Sequence, residues 1–120
     1  ILIAVVGVSK DPEKYGHQVY KDLHGAGYKV FPINPNAEQV LGDKCYPSLE
    51  ALPTKPDVVD LVVPPNVTEQ IVKTCKNLGI NKVWMQPGSE SKAAISFCEE
   101  NGITVVHDMC IMAERRKRQS

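Results

Sequence analysis

The chain has 120 residues, 42% of them hydrophobic and 23% charged, and its fourteen basic and fourteen acidic side chains cancel. That is enough for one domain with a single core and too little for two, so residues 1–120 are read as one unit. Zero net charge gives no electrostatic reason to expect nucleic acid or an anionic membrane as a partner. No apolar run approaches the roughly 20 residues of a membrane span.

Ile1–Val6 is an unbroken apolar run of strand length, suited to the middle of a parallel sheet. It carries no charged region ahead of it, as a signal peptide would. Starting so abruptly on a strand, the chain is expected to have a natural N-terminal segment that has been trimmed or is disordered. Gly7 allows a sharp turn, and a helix is expected from about Gly16, with Val19, Tyr20 and Leu23 at helical spacing. Gly25-Ala26-Gly27 ends it. Tyr28–Ile33 reads as a second strand, closed by the turn residues Asn34-Pro35-Asn36. Residues 37–57 read as irregular, with Ser48 capping one turn over Leu49–Leu52.

Val58–Val63 reads as a third strand, stopped by Pro64-Pro65. Asn66 followed by Glu69 resembles a capping box, opening a helix with Val67, Ile71, Val72, Cys75 and Leu78 on one face. Lys82–Met85 is a fourth strand, Ser89–Asn101 a helix with Ala94, Phe97 and Cys98 inward, and Ile103–Val106 a fifth strand. Ile111–Arg118 is a final helix within a basic tail at 111–120. Strand and helix alternate throughout. The fold class is therefore α/β, a Rossmann-like three-layer domain with a five-stranded parallel sheet in the order 3-2-1-4-5.

Ligands of such sheets bind beyond the carboxyl ends of the strands, with phosphate at a helix N-terminus. That edge carries Gly7–Lys10, Asn34–Asn36, Pro64–Asn66, Gln86–Gly88 and His107–Cys110. Ser9 and Lys10 are the phosphate candidates, Ser9 through hydroxyl and N–H and Lys10 through charge. Trp84 is expected in the core or at its rim, and His17 and His24 in solvent. Cys45, Cys75, Cys98 and Cys110 show no paired spacing with each other or with histidine, so no metal site is expected; Cys75 and Cys98 read as buried hydrophobes. The cytoplasm is the simplest compartment for such cysteines. The first loop is neither GxGxxG nor a Walker A loop, and Asn34 stands where an NAD site has Asp or Glu. An NAD(P)-binding oxidoreductase domain is thereby disfavoured.

An ordered set of short motifs runs from Ile1 to about Glu114: Ala4-Val5-Val6-Gly7-Val8-Ser9, Lys14-Tyr15-Gly16, Asn34-Pro35, Leu41-Gly42, Tyr46-Pro47-Ser48-Leu49, Val58-Val59-Asp60, Val83 to Gly88, and Asp108-Met109-Cys110. This set resembles the small standalone CoA-binding proteins, which are similar to the CoA-binding domain of the succinyl-CoA synthetase alpha subunit. The resemblance implies a domain that binds coenzyme A or an acyl-CoA without chemistry of its own, in a regulatory or redox-linked role. A subunit or fragment of an acyl-CoA ligase is the alternative, and a homo-oligomer or a partner subunit is compatible with either.

By position, the resemblance places Gly7, Val8 and Ser9 near the pyrophosphate and Tyr15 and Gly16 at the helix start. Asn34, Pro35 and Asn36 flank the adenosine, with Pro64 beside the nucleotide. Gln86, Pro87 and Gly88 lie along the pantetheine, and Asp108 and Cys110 at the end of the last strand. Asn36 and Val63 stand where the family often has basic residues, and Met109 where it commonly has Arg. A cation for the 3′-phosphate would then come from Lys10, Lys14 or the tail, or be missing. Cys110 is the thiol placed nearest the ligand, with a mixed disulfide as its sharp reading and a buried small residue as its plain one.

Overall fold

The computed structural model describes residues 1–119. Five parallel strands form the sheet: β1 (Leu2–Val6), β2 (Lys29–Ile33), β5 (Val58–Leu61), β6 (Lys82–Met85) and β7 (Thr104–Val106). Their order is β2-β1-β5-β6-β7. β1 pairs with β2 from Leu2↔Lys29 to Val6↔Ile33, and with β5 from Ile3↔Val58 to Val6↔Leu61. The run assigned as the third strand therefore lies on the far side of β1 from β2. The position outside β2 is held by Tyr46, in a parallel bridge with Ile33. With that segment counted as third, the 3-2-1-4-5 pattern stands and β7 extends it.

Alternation along the strands sorts side chains into two layers. Ile3 and Val5 of β1 pack under α1 (Tyr15–Gly25) and the start of α4 (Ile111–Gln119), with Val19, Tyr20, Leu23 and Ile111. Ala4, Val6, Val59, Leu61, Val83 and Met85 face the other way, against Val72 and Cys75 of α2 (Pro65–Leu78) and Ala94 and Cys98 of α3 (Lys92–Glu100). Each fully buried leucine or valine here contributes about 1.5–3 kcal/mol relative to exposure. α4 is tied to α1 by Arg115, whose guanidinium donates to both Asp22 oxygens at 2.8 Å. The basic run is thus partly joined to the body of the domain.

Several local expectations are corrected. α2 begins at Pro65, whose fixed φ and missing N–H suit a first helical position; Asn66 lies inside the helix, so there is no capping box. Ser48 precedes a short 3-10 turn (Leu49–Ala51) without capping it through its side chain. Residues 37–57 are not wholly irregular: β3 (Gln39–Val40) and β4 (Asp43–Lys44) form a tight hairpin. Its turn residues Leu41 and Gly42 have φ of 53° and 80°, the left-handed pair that a two-residue hairpin requires. α3 starts at Lys92, where Ser91 accepts the Ala94 N–H. His17 is buried, not in solvent, and its Nδ1 lies 2.8 Å from the Ser9 carbonyl.

Candidate functional site

The turn after β1 sets the geometry of the carboxyl edge. Gly7 has φ +98°, and a Cβ there would sit 2.0 Å from the Val62 carbonyl oxygen. A Cβ on Gly16 would sit 2.1 Å from the Gly7 carbonyl oxygen. The start of α1 therefore rests directly on the turn, and only glycine fits at either point. Gly16 closes the helix on the strand, although the spacing is not GxGxxG. The Gly7 and Val8 N–H groups both donate to the Ile33 carbonyl, at 2.9 and 3.3 Å. They extend the sheet, and the later loop is held separately: Ser9 Oγ accepts the Asp11 N–H at 3.0 Å and its carbonyl is tied to His17. Lys10 and Lys14 are exposed, Lys14 immediately ahead of α1. The first turn of a helix has N–H groups without partners inside the helix.

Asn34 joins three segments. Its Nδ2 donates to the Val8 carbonyl at 2.7 Å, its Oδ1 accepts the Asn36 N–H at 2.8 Å, and its own N–H donates to the Tyr46 carbonyl at 2.9 Å. Beside it, between the ends of β1 and β2 and the α2 helix, a groove of 410 Å³ opens. Gly7, Asn34 and Pro35 line one part, Pro47 to Glu50 another, and Val63, Val67, Ile71 and Thr74 the α2 wall. Val67, assigned to the helix's inward face with Val72 and Cys75, is exposed and lines the groove, while those two pack against the sheet. Pro64 and Asn36 are exposed nearby.

The other end of the edge is closed. Gln86 is fully buried, and its Nε2 donates to Asp60 Oδ1 at 2.6 Å. Its Oε1 accepts the Ile111 N–H and the Tyr15 hydroxyl, both at 3.2 Å. The Ile111 N–H, an orphan donor at the start of α4, fixes which way the amide points. Tyr15's single hydroxyl proton goes to Gln86, which leaves the Cys110 thiol, 2.7 Å away, as donor to Tyr15. Asp60 is fully buried, its Oδ2 has no partner among the described residues, and burial pushes its pKa up to about 7 against the opposing pull of Gln86. Burial, then the Cys110 contact, also raises Tyr15 well above its ordinary value.

Chain position alone did not single out Asp60. Its signal was a carboxylate in the middle of a strand expected to be buried on both faces. Gln86, a candidate at the carboxyl end of its strand, is fully buried and stands at the centre of this chain of contacts. Pro87 and Gly88 are exposed, and Gly88 N–H donates to Glu90 at 2.9 Å. Asp108 is exposed, at φ 62°, and pairs with His107. Trp84 donates from Nε1 to the Met109 carbonyl at 2.8 Å, a rim position. Cys45, Cys75 and Cys98 are buried and Cys110 is half-buried. Among the described residues no cluster of three His, Cys, Asp or Glu could hold a metal, and no helix is long and apolar enough to cross a membrane.

Comparison with known proteins agrees with this architecture. The chain is 34% identical over 113 residues to the uncharacterized protein YneT of Bacillus subtilis, covering 91% of this chain and 81% of that one. A conserved hypothetical protein from Pyrococcus furiosus superposes with a TM-score of 0.90 at 45% identity, covering 93% of this chain and 97% of its own. The alpha subunit of the ADP-forming acetate–CoA ligase II of Pyrococcus furiosus is 30% identical over 120 residues; the match covers 91% of this chain and only 26% of that subunit. A family model described as a CoA binding domain matches residues 2–116, and the chain belongs to that family.

Proposed function

We propose that this chain binds coenzyme A, or an acyl-CoA, along the carboxyl edge of its sheet and has no catalytic chemistry of its own. The observation that carries the reading is the 410 Å³ groove opening at Gly7, beside the N-terminus of α1. Its size is that of a small-molecule site. The adenosine would lie in this groove beside Asn34, Pro35, Asn36 and Pro64. The pyrophosphate would take the N–H groups of Ser9, Lys10 and the first turn of α1, near Lys14, Tyr15 and Gly16, where the helix dipole favours negative charge. Gly7 and Val8 would shape this seat without donating to it. The pantetheine would run past Gln86, Pro87 and Gly88 toward Asp108 and Cys110. A thiol at that end of the path gives the site a redox or regulatory use, and the cytoplasm is where such a protein would work.

Likeness to about a quarter of a ligase subunit favours a second reading, in which the chain works as one part of an acyl-CoA ligase with a partner subunit. Thermal melts with CoA, acetyl-CoA, NAD and NADP test the main proposal. At a hundredfold excess over Kd a ligand of the folded state adds about 2.7 kcal/mol. A rise in Tm with CoA and none with NAD is expected; a rise with NAD alone would overturn the assignment.

A further inference from the structure

We infer that Lys10 makes the site specific for the 3′-phosphorylated ribose of CoA, with Lys44 as a second, weaker cation on the other side of Pro35. This rests on the proposed function and names a recognition contact within it. In doubly wound folds an arginine near the end of the second strand accommodates a phosphorylated ribose. Here β2 runs into Asn34-Pro35-Asn36 without a cation, and Val63 offers only an alkyl side chain to the same groove. The charge must come from a neighbouring segment, and the Asn34 amide decides which one. Its Nδ2 holds the Val8 carbonyl at 2.7 Å, so the loop after β1 is drawn against the β2 turn. Lys10 follows two residues later, its Cα at most about 7.6 Å from that of Val8, at roughly 3.8 Å per step. The loop is pinned on either side of it: the Ser9 carbonyl lies 2.8 Å from His17 Nδ1, and Ser9 Oγ accepts the Asp11 N–H at 3.0 Å. The flexible lysine stem spans the remaining distance to a ribose beside Asn34.

Two further observations place positive charge at this corner. Burial raises the Cys45 thiol above its ordinary value, while the hydrogen bond to the Asn34 carbonyl and the Lys10 charge oppose the rise. Cys45 Sγ lies 3.8 Å from that carbonyl, so Lys10 acts at the turn where the adenosine is placed. Next to the groove, and sharing Pro35 and Pro47 with it, a second hollow of 510 Å³ is lined by Cys45, Lys44 and Glu38. The Lys44 ammonium sits 5.1 Å from the centroid of the Tyr46 ring. Its neighbour Asp43 is taken by Tyr20 at 2.7 Å and His24 at 3.3 Å. Neither Lys10 nor Lys44 has an ion-pair partner among the described residues. Lys14 and the basic tail serve other places. Lys14 stands at the start of α1, where the pyrophosphate is placed. Arg115 and Arg116 meet Asp22, Lys117 meets Glu114, and Arg118 lies with Ile1 at the amino end of β1. A phosphate monoester carries a charge of about −1.5 to −2 at neutral pH. The two lysines match it, and the carboxylates of Glu38 and Glu50 oppose it.

The experiment is calorimetric titration of the full chain and its variants with CoA and dephospho-CoA, at low and at high salt. Wild type should bind CoA about tenfold tighter than dephospho-CoA, or about 1.4 kcal/mol. The ratio should shrink as salt screens the lysines. Lys10→Gln keeps the backbone N–H placed on the pyrophosphate and removes the charge; it should bring the ratio to about twofold or less. Lys44→Gln should lower the ratio about threefold, and Glu38→Gln should raise it. Equal affinities in wild type, or a ratio that Lys10→Gln leaves in place, would overturn the inference and leave the CoA assignment standing. A ratio indifferent to Lys44→Gln would strike Lys44 from it. No binding of either ligand to wild type would remove the proposed function and the inference together.

Discussion

The two ends of one sheet edge are built to opposite rules. Between β1, β2 and α2 the edge is open, a groove of 410 Å³ with alkyl and polar walls and the carboxylate of Glu50. Under β5, β6 and the start of α4 it is sealed, and the space holds Asp60, Gln86, Tyr15 and Cys110 in hydrogen-bonded succession. Backbone sterics at two glycines shape the open end. A buried polar chain, costly unless satisfied, shapes the other. The first can receive a ligand, and the second can hold a side chain in one orientation.

Gly7→Ala is the severest way to break the open end. A Cβ 2.0 Å from the Val62 carbonyl, at a φ of +98°, cannot be relieved by a rotamer. A loss of at least about 4 kcal/mol in urea unfolding is expected, or failure to fold.

At the sealed end, Asp60 makes stability depend on pH. Its carboxyl is raised in the folded state, so its contribution is fully present below its unfolded value near 4 and declines as pH rises through about 7. The change across that window is at most about 4 kcal/mol. Asp60→Asn keeps an acceptor for Gln86 and removes the titration. Wild type should lose Tm between pH 5 and pH 8 while the variant's Tm holds level; equal slopes in the two would show that Asp60 does not titrate there.

Tyr15→Phe sharpens the contrast at the smallest cost. Gln86 Oε1 keeps the Ile111 N–H, so about 1 kcal/mol is expected from the lost hydroxyl. A loss above about 3 kcal/mol would mean that Tyr15 carries packing across both ends of the edge.

What could be read from the chain follows the same division. Apolar runs give the five strands and glycines give the turn, because burial and φ leave marks on local sequence. The small hairpin at Gln39–Lys44 leaves no apolar run, and only Leu41-Gly42 hints at it. His17 looks like any polar residue on a helix until the Ser9 carbonyl folds over it. Val58-Val59-Asp60-Leu61 reads as a strand, but its partner Gln86 lies 26 residues on, in another strand's turn. Contacts made across the sheet are set by topology, which spacing along the chain does not encode. Val67 is the converse case: its helical periodicity is genuine, yet it lines a groove while Val72 and Cys75 pack against the sheet.

Asn34 carries one more consequence, for chemical ageing. Asparagine side chains are lost over time when the next residue's backbone nitrogen attacks the amide carbonyl and closes a five-membered ring. The next residue here is Pro35, whose nitrogen bears no hydrogen to give up. The amide that pins Val8, Asn36 and, through its own backbone, Tyr46 is thereby shielded from the commonest spontaneous damage to its kind. In aged samples, tryptic mass spectra should show deamidation at other asparagines, such as Asn101 before Gly102, ahead of Asn34.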